Sequence, residues 1–403
     1  MLRTQGLVVA GEEPLDSVQS RWPIYEEDEI AAVTRVLRSG LVNALLHGDE
    51  TRNFEREFAE YVDMPHALCV ANGTVSLELA LRAFHIGPGD EVVVPARSFF
   101  ATAACVSSVS ATPVFADVDP VSQNIDPASV ERLLSSRTKA IICVHLAGWP
   151  CDMAALQAIC RKNDLFLVED CAQAHGAALH GRKVGAFGNA GSFSFCTDKI
   201  MSTGGEGGLL TFASPIHWRR AWSYKDHGKD FDAHRQLNGL PGQFRYVHDS
   251  AGSNMRMTEM QAAIGRIQLR KLPDWLARRR ANAARLTEAL AGKDELLLPA
   301  PPCGVEHAFY KYYVQLATSP AQVEARRSRI IARLQEQGIA CSSGSCPDMS
   351  LESAYAAVNV TRDGELPQAR ALGLRTIMLQ VDHTLSAGDM ERTGEALIEA
   401  LRR

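Results

Sequence analysis

Three short segments carry residues whose types and spacing could do chemistry together. Gly191–Gly208, GSFSFCTDKIMSTGGEGG, sets one lysine, Lys199, among hydroxyls and glycines, five residues after Ser194. An amine in such a place can form an imine with an aldehyde and later move protons. The glycines around it permit close backbone approach, and Glu206 among them reads as a residue that fixes the turn. Val168–Gly176, VEDCAQAHG, closes an apolar run with the carboxylate of Asp170. A carboxylate there is costly unless paired. A protonated pyridine nitrogen would make it useful, because such a ring becomes an electron sink. A strand-end aspartate that caps the next turn is the plainer alternative. Ala71–Leu81, ANGTVSLELAL, joins a tight turn to a helix. Backbone N–H groups at Gly73 and the Thr74 hydroxyl, at a helix N-terminus, bind phosphate well, although a simple N-cap gives the same pattern. The Ser194 hydroxyl could reach the same phosphate. Taken together, a lysine, an acid after a strand and an anion cradle describe a site for pyridoxal 5'-phosphate. Phe99, in PARSFFATA, could stack on the flat ring or be a core aromatic. Gln173 and His175 could each reach a ring substituent, and Gln173 is favoured as the nearer to the strand end.

The elements around these segments alternate. Short apolar runs at Ala67–Val70, Glu91–Val94, Thr112–Phe115, Ala140–Val144, Phe166–Val168, Ser192–Phe195 and Leu209–Phe212 read as strands. Helical patterns lie between most of them, at Val75–Phe84, Ala101–Ser107, Pro127–Leu134 and Met153–Lys162. Near-continuous apolar strands separated by helices predict a mostly parallel sheet covered on both faces. Ligands of such sheets bind beyond the carboxyl ends of the strands, where Asn72–Thr74, Phe99, Asp170 and Lys199 all fall. Two helices precede the sheet, one from about Glu26 to the Ser39-Gly40 stop and one over Arg52–Val62. A long helical region spans Thr258–Leu290, interrupted at Pro273. A strand (Tyr310–Leu316), a helix (Ala321–Gln337) and a last helix (Gly388–Leu401) follow and read as a smaller α+β unit. The expected division is an arm at 1–24, a large cofactor-binding α/β domain at 25–270 and a small domain at 271–403.

The bulk numbers exclude several classes. The chain has 403 residues, 46% hydrophobic and 22% charged, with a net charge of −5. No long basic tract exists, so neither nucleic acid nor an anionic membrane is expected as a partner. No apolar run approaches a membrane span, and the N-terminus does not read as a secretory signal. The ten cysteines form no CxxC pair, which predicts free thiols in a reducing cytoplasm and no metal site.

The motifs GPGDEVVVPARSFFATA, PVFADVDP, RTKAIICVHLAG, VEDCAQAHGA, FSFCTDKIMSTGGEGG, KDHGK and GSNMRMTEMQAAIG, taken together, resemble the DegT/DnrJ/StrS aminotransferases. These are sugar aminotransferases that use pyridoxal phosphate on fold type I, and the likeness runs from about Trp22 to about Leu385. It implies a large domain with a mostly parallel sheet of the seven-stranded type, covered by helices, and a smaller C-terminal α+β domain. It implies that Lys199 is the Schiff-base lysine and that Asp170 holds the pyridine nitrogen. Phe99 would stack on the ring, and Gln173 would lie near its hydroxyl. Gly73, Thr74 and Ser194 would bind the phosphate. Asn254, in GSNMRM, would reach the phosphate of the other subunit, so a homodimer with shared sites is expected. His227 and Arg256 would contact substrate, although a structural ion pair explains Arg256 as well.

The implied reaction is a transamination in the biosynthesis of an amino sugar or secondary metabolite. Glutamate or glutamine would convert the cofactor to pyridoxamine phosphate, and a keto-sugar or keto-cyclitol would then take the nitrogen. Arg97, Lys225 and Lys229 could serve a nucleotide diphosphate on the acceptor. Two loops depart from the family's wording. Val42–Gly48 stands for a VNxWTG-like loop, and Leu379–His383 (LQVDH) stands for LPVHP. A cofactor-binding protein without turnover and a sugar dehydratase are the alternatives. The dehydratase goes with a histidine at the lysine position, which Lys199 argues against.

Overall fold

In the computed structural model, which describes residues 17–235, 246–318, 320–356 and 360–402, the apolar runs assemble into one seven-stranded sheet. Its strands are β1 (His66–Val70), β2 (Glu91–Pro95), β3 (Thr112–Ala116), β4 (Thr138–Val144), β5 (Phe166–Asp170), β6 (Ala190–Ser194) and β7 (Gly208–Phe212). Their spatial order is β1-β7-β6-β5-β4-β2-β3, and of these seven only β7 runs against the rest. Residues of β2, β6 and β7 are buried throughout, as a sheet covered on both faces requires.

Helices supply the covers. On one face, α3 (Gly73–Ala83) and α4 (Ala101–Ser108) bring Leu77, Leu81, Ala103 and Val106 against Val92, Val94, Leu210 and Phe212. Elsewhere α5 (Pro127–Leu133) and α6 (Met153–Asn163) bury Val130 and Leu156 against Val93, Ile141 and Leu167. Before the sheet come α1 (Glu27–Ser39) and α2 (Asp49–Val62); after it come α7 (Pro215–Lys225) and the 31-residue α8 (Glu259–Ala289). Phe54 and Phe58 of α2 and Leu269 of α8 pack on Phe193, Phe195 and Leu209. That packing lies directly beneath the segment that carries Lys199.

The interruption expected at Pro273 does not occur, because α8 is one helix through it. A proline removes one backbone donor and crowds the preceding turn. Here Leu269, Leu272 and Leu276 around it all pack in the core under the large sheet, and that burial holds the helix together. A capping box between Thr258 and Gln261 fixes its start. The expected domain division at 270 falls inside this helix. Leu276 still packs with the large sheet, whereas Ala283 and Leu286 pack with a second core.

That core belongs to a four-stranded antiparallel sheet. It holds β8 (Leu296–Leu297), β9 (Tyr312–Leu316), β10 (Cys341–Ser342) and β11 (Thr376–Leu379), in the order β8-β9-β11-β10. The helices α9 (Pro320–Glu336) and α10 (Ala387–Arg402) cover it. Between β10 and β11 the chain returns to the large domain. Met349, Tyr355, Leu366 and Leu372 join the large core, and the Phe115 N–H donates to the Thr361 carbonyl at 2.9 Å.

The arm expected at 1–24 is fastened where it is described; residues 1–16 lie outside the described residues. Val18, 3% exposed, pairs in parallel with Ile339 and donates its N–H to the Gly338 carbonyl at 2.9 Å. Ser20 and Arg21 donate their N–H groups to Gln380 Oε1 and Thr384 Oγ1, both at 3.1 Å.

Phe54 is fully buried between Phe58 and Phe195, with ring centroids 5.9 and 5.4 Å away. Phe54→Ala should lower unfolding stability by about 3–5 kcal/mol, read as a shift of the denaturant midpoint at unchanged slope.

Candidate active site

Two carboxylates end β5, and they are treated differently. Successive residues of a strand point to opposite faces. Glu169 accepts N–H groups from Gly185 (2.8 Å), Phe187 (2.7 Å) and Gly188 (2.6 Å). It also meets His145 Nε2 at 3.1 Å. Because His145 Nδ1 takes the Cys151 N–H at 3.0 Å, Nε2 is the proton-bearing nitrogen. A carboxylate offers about four acceptor positions, so Glu169 is saturated. Cys171 lies beside this pair, but the ligand atoms of His145 and Glu169 are already bonded, and the group reads as structural.

Asp170 is buried too, yet among the described residues its carboxylate accepts only the Thr102 hydroxyl at 3.0 Å and the Ala172 N–H at 3.2 Å. Burial pushes its carboxyl above the usual range, while those two bonds and the charge of Lys199 pull it back. An acid left in that state has acceptor capacity to spare and gains most from a cationic N–H.

The neighbouring strand ends make a cradle. Gly208 opens β7 between Val70 and Ser194 in register. A Cβ on Gly208 would sit 2.4 Å from the Asn72 carbonyl oxygen, and one on Gly73 would sit 2.6 Å from the Ser194 Cβ. The backbone turn therefore closes on the Ser194 side chain only because both positions are glycine. Asn72 caps α3 by accepting the Val75 N–H at 3.0 Å, and Ser76 bonds the Gly73 carbonyl at 2.7 Å and meets Ser192. Thr74 is exposed in the first turn of α3. The N-terminal N–H groups of α3, the Thr74 side chain and Ser194 thus lie together at a helix N-terminus, where an anion is stabilised.

Lys199 follows β6. Its ammonium lies 3.5 Å from Asp198 Oδ1 and 5.1 Å from the centroid of the Tyr310 ring. Asp198 also bonds the Tyr310 hydroxyl. Burial works against its ionisation, but Lys199 and Tyr310 hold its carboxyl below the usual range. The Lys199 backbone is pinned from the arm, since Trp22 Nε1 donates to the Lys199 carbonyl at 2.7 Å. The Trp22 ring packs edge-on to Trp275 and His383 (5.0 and 4.8 Å), which stack on each other at 4.5 Å. The divergent LQVDH segment thus supports the lysine through His383.

The remaining residues divide. Phe99 is 66% exposed after β2, and the Phe99 carbonyl accepts the Thr102 N–H at 3.1 Å, which ties it to the hydroxyl that bonds Asp170. Gln173 is buried, and its Oε1 takes the Ala147 N–H at 2.7 Å; its amide N–H₂ has no partner among the described residues. His175 is fully buried, neither ring nitrogen has a hydrogen-bond partner among the described residues, and burial together with the Lys199 charge drives it down to about 3, hence neutral. Asn254 is exposed, and its neighbour Met255 accepts the Ala71 N–H at 2.9 Å beside the phosphate turn. His227 is exposed at a φ of 66°. Arg256, expected at the substrate, is held 2.6 Å from Asp226 Oδ1, while Lys225 holds Oδ2 at 2.6 Å. Both cations are engaged by one buried acid.

These features fit the cofactor. The cradle accepts a phosphate, Asp170 has the capacity a pyridinium needs, and an amine follows the next strand. Fold and site together define a pyridoxal-phosphate-dependent enzyme of fold type I. Residues 23–398 match the DegT/DnrJ/EryC1/StrS aminotransferase family, and the chain belongs to that family. It is similar to the solved aminotransferase from Psychrobacter cryohalolentis, with a TM-score of 0.91 and 44% identity over 95% of this chain and 98% of that one. It is 34% identical to the dTDP-3-amino-3,4,6-trideoxy-alpha-D-glucose transaminase of Streptomyces venezuelae, over 94% of each chain. It is 37% identical to the L-glutamine:2-deoxy-scyllo-inosose aminotransferase of Micromonospora echinospora, over 76% of this chain and 74% of that one. Solved relatives occur in pyridoxal phosphate and pyridoxamine phosphate forms, and the chain is a pyridoxal-phosphate-dependent aminotransferase.

The sequence reading gives Thr102, Trp22, Asp198 and Tyr310 no part in the site. Thr102 carries a faint signal, one turn beyond Phe99 in the same helix start. Asp198 adjoins Lys199 but is tied to it by Tyr310, and Trp22 and Tyr310 act across long sequence separations that no local pattern announces.

Thr102→Val removes a hydrogen bond to an ionised group, worth about 1.5–3 kcal/mol. Its affinity for pyridoxal phosphate should fall about tenfold or more, whereas Thr102→Ser should retain it, both read by absorbance titration.

Proposed function

We propose that Lys199 and Asp170 run both halves of a transamination from glutamate or glutamine to a keto-sugar or keto-cyclitol. The observation that carries these roles is the contrast at the end of β5, where Glu169 is saturated and Asp170 is not. Bound at this site, pyridoxal phosphate supplies the electron sink. Asp170 holds a proton on the ring nitrogen side, and Gly73, Thr74 and Ser194 bind the phosphate. Phe99 covers one face of the ring, and the Gln173 amide donates toward its hydroxyl. Lys199 Nζ moves the proton at the substrate carbon that loses or gains nitrogen. Asp198, kept ionised, steadies that amine between transfers. Two half-reactions through one site give ping-pong kinetics.

The assembly is a homodimer with shared sites, in which Asn254 reaches the phosphate of the second copy. The exposure of Asn254 supports this, as do Leu41, Val42 and Leu46, 47%, 36% and 73% exposed in the divergent loop that joins Glu259 through the Val42 carbonyl. No helix among the described residues is long and apolar enough to cross a membrane. The ten cysteines are all free, which supports a reducing, cytoplasmic setting. His227 is exposed beside Asp226 and is kept as a substrate contact. Arg256 orders Asp226 and so acts on substrate only indirectly.

The test is the absorbance of the purified enzyme before and after glutamate or glutamine. A visible band that fades as a near-ultraviolet band grows is expected, and Lys199→Ala should bind cofactor yet lose this conversion entirely. A band indifferent to every amino donor would instead indicate binding without turnover.

A further inference from the structure

An amino donor arrives with a carboxylate, and a carboxylate is bound best by a cation free to meet it. Most cations around the cleft are engaged. Arg256 and Lys225 hold Asp226, and Lys229 donates to the Asp226 carbonyl at 3.3 Å. Arg97 is 1% exposed, and it donates to Gln123 Oε1 at 2.9 Å and to the Ser345 carbonyl at 3.2 Å. Arg279 is equally buried and donates to the Phe309 and Tyr310 carbonyls, each at 3.3 Å. Each keeps one nitrogen without a partner among the described residues, Arg97 Nη2 and Arg279 Nε, but both side chains are 1% exposed, so an incoming ligand reaches neither from solvent as readily as it reaches a half-buried lysine.

Lys311, the residue before β9, differs. It is half-buried and makes no hydrogen bond or ion pair among the described residues. Its ammonium lies 5.1 Å from the centroid of the Tyr310 ring, and the Lys199 ammonium lies 5.1 Å from the same centroid. At most twice that distance separates the two amines. Burial lowers the pKa of Lys311, and Arg279 and Lys199 push the same way, whereas the charges of Asp198 and Asp382 oppose them without either acid making an ion pair with it among the described residues. This ammonium has lost part of its water and holds no anion in return, so an arriving carboxylate gives it the partner it lacks.

We propose that Lys311 docks a carboxylate of the amino donor while the donor's nitrogen reacts on the Lys199 side of Tyr310. The assignment rests on the transaminase reading above. The placement of both amines 5.1 Å from one ring centroid favours the donor over a nucleotide diphosphate. In an amino acid the carboxylate is close to the reacting carbon, whereas a sugar ring stands between a diphosphate and its ketone.

Glutarate is the probe, a dicarboxylate without an amine, titrated into the holoenzyme by calorimetry. The wild type should bind it, Lys311→Met should bind it at least about tenfold more weakly, and Lys311→Arg should keep most of the affinity. The donor KM of Lys311→Met should rise by a similar factor while kcat falls far less. The acceptor KM and the cofactor absorbance should stay as in the wild type. Equal glutarate binding in wild type and Lys311→Met overturns the proposal, as does no binding to the wild type. A KM change confined to the acceptor, or loss of the cofactor band in Lys311→Met, overturns it as well. Glutarate binding that depends on Lys311, in an enzyme that accepts no amino donor, would leave the carboxylate site standing and refute the transaminase reading.

Discussion

The buried carboxylate of Asp170 is the constraint on which the rest depends. A buried acid with two neutral donors is unfavourable as an anion, and burial already pushes its pKa upward. It becomes favourable only when a cationic N–H meets it. The protein fixes Asp170 in place from two sides, through Thr102 at the start of α4 and through the Ala172 N–H just after β5. The adjacent Glu169 shows what the same strand end looks like when an acid is meant to be inert: three backbone donors and a histidine surround it. The difference between two consecutive residues is thus the difference between scaffold and chemistry.

Sheet topology then sets what surrounds that acid. With β7 inserted in reverse between β1 and β6, its first residue lies against both the turn after β1 and the end of β6. The turn after β1 and Ser194 are brought together by that insertion, and glycine at 73 and 208 lets the backbones close. Lys199 leaves β6 on the same side. Its position is then finished from outside the large sheet, by Trp22 of the arm and by Tyr310 just before β9. The second core of the molecule thereby takes part in holding the Lys199 amine.

Much of this was legible in the sequence, and for a physical reason. Strands buried on both faces must be largely apolar, so Glu91–Val94 and Ala140–Val144 announce themselves, and their structural bounds agree to within two residues. Asp170 was legible because it closes such a run, and Lys199 because it stands alone among hydroxyls and glycines five residues after Ser194. What was not legible depends on partners distant in sequence. Nothing around Pro273 tells that burial on one side will hold α8 together. Nothing around Val18 tells that it pairs with Ile339. Arg256 reads as a substrate contact until Asp226 is seen against it, and Lys311 reads as an ordinary lysine until the other cations are found engaged.

Reduction of the purified holoenzyme with borohydride, followed by peptide mass spectrometry, tests the central claim most directly. The account predicts a stable adduct of reduced pyridoxal phosphate mass on the peptide that contains Lys199, and none in Lys199→Ala. An adduct on Lys311 or another lysine, or bound cofactor that leaves no adduct at all, would contradict it.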